Sequence, residues 1–325
     1  MNESGPLRVG VLGARSWIAN MAVIPALLTS TRCELVAVAA ASGTVPAHLE
    51  HLDVGSYEAV LDRADVEAVY LPLPNGMHRR WVEAAAAAGK HVLCEKPLGV
   101  DAADATATVD ACERAGVLLV EAWMTPFGER WSRVLATASS GELGDVRHVR
   151  AEFTFVIGPG QETNYRWNPQ QGGGALLDVG IYALGAAVTL WGANPLTVCA
   201  SSQVGATRVD ATTSVLCDWG DGRTCSALVS FELPERQHLE LCGTDARLVV
   251  DGPAFTGGAE ATNISRHAPA GTVTVLETVG NDPYLSMVDA FADAVRGLVP
   301  WPRPITESVA MASLLDRIKR SASAV

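Results

Sequence analysis

Along the first third of the chain, short apolar runs alternate with alanine-rich stretches of helical spacing. The runs 8–12, 34–40, 68–73, 91–94 and 117–120 carry little polar alternation, the pattern of strands buried on both faces. Between several of them, 18–28, 81–88 with its run of five alanines, and 101–115 with Asp101 as N-cap predict helices. Such β-α alternation predicts a doubly wound parallel sheet. The stretch 42–61 has little helical pattern, so a helix there is expected to be short or missing.

Past Glu121 the pattern changes. A helix over 128–139 leads to a strand over 146–155, a polar loop, the glycines 172–174 and an apolar helix over 175–191. The runs 212–217, 224–231, 238–241, 248–250 and 272–278, broken by turn signals such as Gly220-Asp221-Gly222, predict antiparallel strands of one larger sheet. Helices over 284–298 and 306–322 close the chain around Pro300, Pro302 and Pro304. The order is α/β first and α+β second, with domains expected at 1–123 and 124–325. In such folds ligands sit at the carboxyl ends of the parallel strands.

The 325 residues suit about two domains. Twenty-four basic against 36 acidic residues give a net charge of −12, which disfavours nucleic acid or an anionic membrane as the main partner and leaves a small molecule. With 48% hydrophobic and 18% charged residues, the composition excludes a disordered chain. Seven scattered cysteines without a C-x-x-C pair point to a reducing compartment. The first residues reach a glycine before any long apolar run, and no apolar stretch approaches the roughly 20 residues of a membrane span, so a cytoplasmic protein is expected. His48 and His51 have a metal-binding spacing but no further ligand nearby, and no metal site is expected.

Candidate chemistry lies at three places. The first strand runs into Gly10-Val11-Leu12-Gly13-Ala14-Arg15-Ser16-Trp17-Ile18-Ala19. Gly13 stands where a dinucleotide site needs close backbone approach to the pyrophosphate, although Arg15 occupies the place of a second glycine and the turn is one residue longer. The run 91–94 ends in Glu95-Lys96-Pro97, and a lysine at the carboxyl end of a parallel strand can polarise a carbonyl or stabilise an alkoxide. In Gly172-Gly173-Gly174-Ala175-Leu176-Leu177-Asp178-Val179-Gly180-Ile181-Tyr182, Asp178 and Tyr182 share a helix face, and Gly180 is expected to leave room for their close approach. A tyrosine beside a lysine can act as a general acid.

These motifs, with Leu73-Pro74-Asn75 and His78, the block 88–98 and Gly141-Glu142-Leu143-Gly144, resemble the glucose-fructose oxidoreductase/inositol dehydrogenase/rhizopine catabolism protein family from about Arg8 to the last helix. The resemblance implies a Rossmann domain followed by a large open-faced, mostly antiparallel sheet, with NAD(P) between them and a sugar or polyol at the nicotinamide. It makes Lys96 the catalytic cation, Tyr182 the proton donor or acceptor, and Asp178 the residue that orients substrate. Tyr182, where inositol dehydrogenases have His, is similar to the branch of sugar 3-ketoreductases and xylose and dihydrodiol dehydrogenases, as is Arg166 in Asn164-Tyr165-Arg166-Trp167. Phe127 and Trp167 join the implied substrate set. The implied cofactor set is Gly13, Arg15, Ser16, Trp17, Ile18, Ser42, Thr44, Leu73, Pro74, Asn75, His78, Glu95 and Lys96.

Two departures bear on ligand choice. NADP-using members commonly carry Ser-Arg after the second strand and NAD-using ones an acid, whereas this chain has Ala40-Ala41-Ser42-Gly43-Thr44. No carboxylate stands ready for a ribose 2′-hydroxyl, and Arg15, Ser42 and Thr44 suit a 2′-phosphate, so NADP(H) is expected with NAD(H) as the alternative. The segment 123–128 lacks the family's frequent basic and histidine residues. The expected reaction is reduction of a keto-sugar nucleotide in deoxysugar biosynthesis. Oxidation of a free aldose or a dihydrodiol is the alternative, and a non-catalytic sugar or nucleotide binder the competing class. A homodimer or homotetramer through the open sheet face is expected by analogy.

Overall fold

The computed structural model describes residues 5–257, 260, 263–269, 271–278 and 280–323. Six strands, β1 (Leu7–Leu12), β2 (Cys33–Ala39), β3 (Asp53–Gly55), β4 (Ala68–Leu71), β5 (His91–Glu95) and β6 (Leu119–Ala122), form a sheet in the order β3-β2-β1-β4-β5-β6. Every neighbouring pair is parallel. Val9, Val11, Val38, Val69 and Val92 are buried, which accounts for strands without a polar face. The chain reverses its order between β1 and β4, the topological switch point of a doubly wound sheet.

The connecting helices are α1 (Ile24–Thr29), α2 (Tyr57–Leu61), α3 (His78–Ala87) and α4 (Ala102–Ala115). Asp101 caps α4, its carboxylate accepting the Asp104 N–H at 2.8 Å. The expected helix over 18–28 is a π-helical turn, Ala19–Val23, that runs into α1. In the helix-poor stretch, α2 has five residues, and the edge strand β3 is an element the sequence pattern did not show. Asp53-Val54-Gly55 has no apolar run of its own, and pairing with Ala37, Val38 and Ala39 makes it a strand.

The second sheet follows α5 (Glu129–Ser139). It comprises β7 (Val146–Val156), then, after α6 (Ala175–Trp191), β8 (Thr197–Val204), β9 (Asp210–Asp218), β10 (Thr224–Ser230), β11 (Glu232–Gly243), β12 (Arg247–Asp251), β13 (Asn263–His267) and β14 (Val273–Glu277). Its order is β14-β13-β12-β11-β7-β10-β9-β8, antiparallel throughout except for β7 with β10. The apolar helix α6 packs on β7, β9 and β10. β8 was missed because Thr197–Val204 has no buried position and hence no apolar face to read.

Two helices close the chain, α7 (Pro283–Val295) and α8 (Ile305–Ala322). By contact, residues 1–123 and 284–309 form one unit, and 124–283 with 310–325 form the other. The segment 284–309, which a single boundary after Trp123 assigns to the second domain, therefore packs with the first. Met287, Val288 and Phe291 in it are buried, Arg296 pairs with Glu67 at 2.6 Å, and Ser308 Oγ donates to Glu121 at 2.7 Å. Among the described residues no helix is long and apolar enough to cross a membrane.

Candidate functional site

In the first unit, β1 delivers the chain into Gly13 at φ +121°, where an added Cβ would lie 3.0 Å from Leu73 Cδ2 and 3.2 Å from Pro72 O. Only glycine lets this turn close against the loop after β4. The Gly13 and Ala14 amides both donate to Ala39 O at 2.9 Å, and Ser16 N–H donates back to Gly13 O. Asn20, which the sequence reading passed over, binds the loop from inside, its amide donating to Ala14 O and Ser16 O at 2.8 Å each. An amide side chain one turn into the helix after such a loop was the available signal.

Arg15 and Trp17 face outward, with Trp17 72% exposed; Ser16 and Ile18 are half-buried. Arg15 Nη1 lies 3.4 Å from Thr44 Oγ1, and Ser42 Oγ lies 3.2 Å from the same atom. One guanidinium and two hydroxyls from separate loops thus share a solvent-facing position. That donor set fits a phosphomonoester, and the close-approach turn at Gly13 fits a dinucleotide beside it.

The carboxyl ends of β4 and β5 carry the next group. Leu73, Pro74 and Asn75 lead into α3, with Asn75 buried. His78 is fully buried, its Nδ1 2.9 Å from Pro97 O and its Nε2 2.8 Å from Leu73 O. Burial, opposed by those carbonyls and assisted by Lys96, lowers its pKa and favours a neutral ring with one N–H to donate. Glu95 is also buried: Oε1 accepts the Tyr70 hydroxyl at 2.8 Å and Oε2 the Lys96 N–H at 3.2 Å. Burial raises the Glu95 pKa. His78 and Glu95, expected in the cofactor set, direct these polar atoms to protein groups around the turn that carries Lys96. Lys96 itself is half-buried, and its peptide bond to Pro97 is cis. The chain has two other lysines. Lys90 is buried, with Nζ donating to Arg63 O at 2.7 Å and Val66 O at 2.8 Å, and Lys319 lies on α8.

In the second unit, the triple glycine folds the loop 164–168 back on α6. A Cβ on Gly173 would meet Arg166 O at 2.4 Å; Gly173 N–H donates to Asn168 O and Gly174 N–H to Arg166 O. This contact returns Arg166 to the helix, where its Nε donates to Asp178 Oδ2 at 2.7 Å. Burial pulls the guanidinium pKa down, but Asp178, Tyr165 and Tyr182 carry it above its ordinary value. A second carboxylate, Asp210, was not foreseen. It accepts the Leu176 N–H at 2.7 Å and the Thr213 hydroxyl at 2.9 Å, fastening the first turn of α6, and burial raises its pKa.

Tyr182 is buried one turn after Asp178, its ring edge-on to Phe153 at 5.3 Å and 6.3 Å from Phe255. Trp167 stands edge-on to Phe231 at 5.5 Å, and Phe231 lies 5.2 Å from Phe155, so aromatic rings run from the 164–168 loop across β7. Phe127 is half-buried, its carbonyl accepting from Asn281 Nδ2 at 2.9 Å. The expectation for Gly180 is corrected: its Cβ position is 3.1 Å from both Leu176 Cδ1 and Leu315 Cδ2, so the glycine admits α8 against α6 and does not serve an approach of Asp178 to Tyr182. Among the described residues no group of three or more His, Cys, Asp or Glu side chains is arranged for a metal ion.

Residues 7–122 match the model of an oxidoreductase family with an NAD-binding Rossmann fold, and residues 131–249 match the GFO/IDH/MocA C-terminal domain. A D-xylose 1-dehydrogenase (NADP(+)) from Haloferax volcanii is 36% identical, the alignment covering 96% of each chain. A dTDP-3,4-didehydro-2,6-dideoxy-alpha-D-glucose 3-reductase from Saccharopolyspora spinosa is 38% identical over 90% of this chain and 88% of its own. The crystal structure of a 3-ketoreductase from Actinomadura kijaniata in complex with NADP and TDP-benzene has a TM-score of 0.90 at 29% identity, covering 97% of this chain and 98% of that one. Matched in both its sheets and aligned over nearly its whole length with dehydrogenases and reductases, the chain belongs to the GFO/IDH/MocA family of NAD(P)-dependent oxidoreductases.

Proposed function

We propose that this chain transfers a hydride reversibly between NADP(H) and a carbinol or ketone carbon of a sugar, and that its substrate is a dTDP-linked 3-keto sugar. The observation that carries the reading is the face of α6 on which Asp178, gripped by Arg166, precedes Tyr182 by one turn. In the reducing direction Lys96 stabilises the oxyanion growing on the ketone oxygen, and the Tyr182 hydroxyl delivers the proton to that oxygen. Asp178 accepts a hydrogen bond from a neighbouring sugar hydroxyl, and Arg166 fixes the carboxylate that accepts it. Trp167 and Phe127 offer apolar surface to the substrate. Gly13, Arg15, Ser16, Trp17, Ile18 and Asn75 border the dinucleotide, and Arg15, Ser42 and Thr44 bind its 2′-phosphate. When bound, the nicotinamide supplies or takes up the hydride at C4.

The dTDP-sugar assignment follows the reductases from Saccharopolyspora spinosa and Actinomadura kijaniata. A second reading, NADP-dependent oxidation of a free aldose at C1, is favoured by the Haloferax volcanii relative. Reduction of dTDP-3,4-didehydro-2,6-dideoxy-α-D-glucose with NADPH and oxidation of D-xylose with NADP⁺, assayed side by side, separate the two. Lys96→Met and Tyr182→Phe should each lower kcat by about 10² or more while cofactor binding survives; unchanged turnover in both ends the proposal. Failure of both reactions together with failure to bind NADPH favours the non-catalytic binder. The reading includes a homodimer or homotetramer through the sheet face opposite α6, where Leu216 is exposed, and light scattering that shows a monomer removes that part.

A further inference from the structure

We infer that Glu95, His78 and Glu121 are positioning residues for Lys96. Three side chains from β5, the start of α3 and β6 hold one backbone group on each of three consecutive residues of one turn. Glu95 Oε2 accepts the Lys96 N–H at 3.2 Å, His78 Nδ1 stands 2.9 Å from Pro97 O, and Glu121 Oε1 accepts the Leu98 N–H at 3.0 Å. Each anchor is itself held. The Tyr70 hydroxyl donates to the other oxygen of Glu95 at 2.8 Å, and the Ser308 hydroxyl donates to the other oxygen of Glu121 at 2.7 Å, with Arg303 Nη1 at 3.7 Å. The second ring nitrogen of His78 stands 2.8 Å from Leu73 O, in the loop after β4.

The three anchors are 7%, 0% and 3% exposed. Burying two carboxyl groups and an imidazole around one turn opposes folding through desolvation. A turn needed only to reverse the chain requires no such set. Its result is a fixed direction for the Lys96 Cα–Cβ bond, which limits where the ammonium on a flexible four-carbon stem can stand. Displacement of a catalytic group by about 1 Å costs on the order of a hundredfold in rate, so the anchors have a catalytic consequence without touching substrate. The role rests on the catalytic assignment of Lys96 proposed above.

Glu121 is the anchor to test, because Glu121→Gln keeps an acceptor for the Leu98 N–H and Glu121→Leu removes it. Both are measured in the wild-type and Lys96→Met backgrounds, on the faster of the two reactions named above. Glu121→Leu should lower kcat by about tenfold or more with NADPH affinity kept within about threefold, Glu121→Gln should restore most of the loss, and in Lys96→Met the Leu substitution should cost less than about twofold. Equal fractional losses in the two backgrounds overturn the positioning role and leave the catalytic assignment intact. Full turnover of Lys96→Met itself overturns the catalytic assignment.

The placement is also read without substrate. With three lysines in the chain, reductive ¹³C-methylation gives few resonances, and Lys96→Arg assigns the one that matters. That resonance should shift in Glu121→Leu, stay in Glu121→Gln, and shift slightly in Ser308→Ala, the mild variant to use if the Leu protein does not fold. A resonance that stays in place in both Glu121→Leu and Ser308→Ala overturns the inference.

Discussion

Removing the Arg166 guanidinium isolates a carboxylate that the fold has placed out of water. Arg166 Nε is 2.7 Å from Asp178 Oδ2, and the Asp178 side chain is 5% exposed while that of Arg166 is 28% exposed. Breaking a fully buried pair by deleting one partner costs about 3–5 kcal/mol. The partial exposure of Arg166 admits water to the vacated place, which lowers the expectation for Arg166→Met to about 2–3 kcal/mol. The second unit has 176 residues. At roughly 2.1 cal/mol/K per residue its unfolding entropy is about 0.37 kcal/mol/K, so Tm should fall by roughly 5–8 °C. Asp178→Asn leaves a guanidinium with better access to water and should cost less, and the double variant should fall short of the summed losses by about 2 kcal/mol. Calorimetry on the four proteins measures this coupling. Additivity to within about 0.5 kcal/mol would show that the two side chains do not act as a pair, and the role given to Arg166 would go with it.

Gly13→Ala forces a side chain into the left-handed region against Leu73 and Pro72, and should weaken NADPH binding by at least about tenfold in a fluorescence titration; an unchanged Kd contradicts the turn's role. Asp210→Ala strips the cap from α6 and should destabilise the protein by about 1–3 kcal/mol by thermal melting, a loss absent if the carboxylate is dispensable. The Glu67 pKa is lowered, first by its hydrogen bonds from Arg296, so its stabilising contribution is present above the unfolded carboxylate value and is lost as pH falls through the lower folded one. Arg296→Met should therefore reduce Tm at neutral pH and flatten its fall below about pH 4.5, and parallel pH curves for the two proteins would refute the assignment.

Much of this architecture was legible because buried strands and amphipathic helices impose periodicities. Valine-rich β1 and the apolar α6 stood out, and the Asp101 cap was readable from one residue. β3 and β8 were not legible, since neither has a buried face and both exist through pairing with a neighbour. The packing of 284–309 with the first unit includes Arg296 and Ser308 meeting carboxylates 229 and 187 residues away, and no local pattern carries contacts of that range.

At the site, residue types were readable and their partners were not. Lys96, Asp178 and Tyr182 announce themselves by motif, whereas Asn20, Asp210 and Glu121 act through long-range or loop hydrogen bonds that leave no periodic trace. The composition holds one further signal: with 21 arginines against three lysines, a lysine at the end of β5 stands out by its rarity. Gly180 shows the reverse error, since the sequence shows that a glycine makes room without showing for what.

The central claim is a dinucleotide site that selects the 2′-phosphate through Arg15, Ser42 and Thr44. Parallel fluorescence titrations of the wild-type protein and Arg15→Ala with NADPH and NADH test it most directly. The wild type should bind NADPH at least about tenfold more tightly, roughly 1.4 kcal/mol, and Arg15→Ala should remove most of that difference while leaving NADH binding unchanged. Equal affinity of the wild type for the two cofactors, or a preference that survives Arg15→Ala, would contradict the claim.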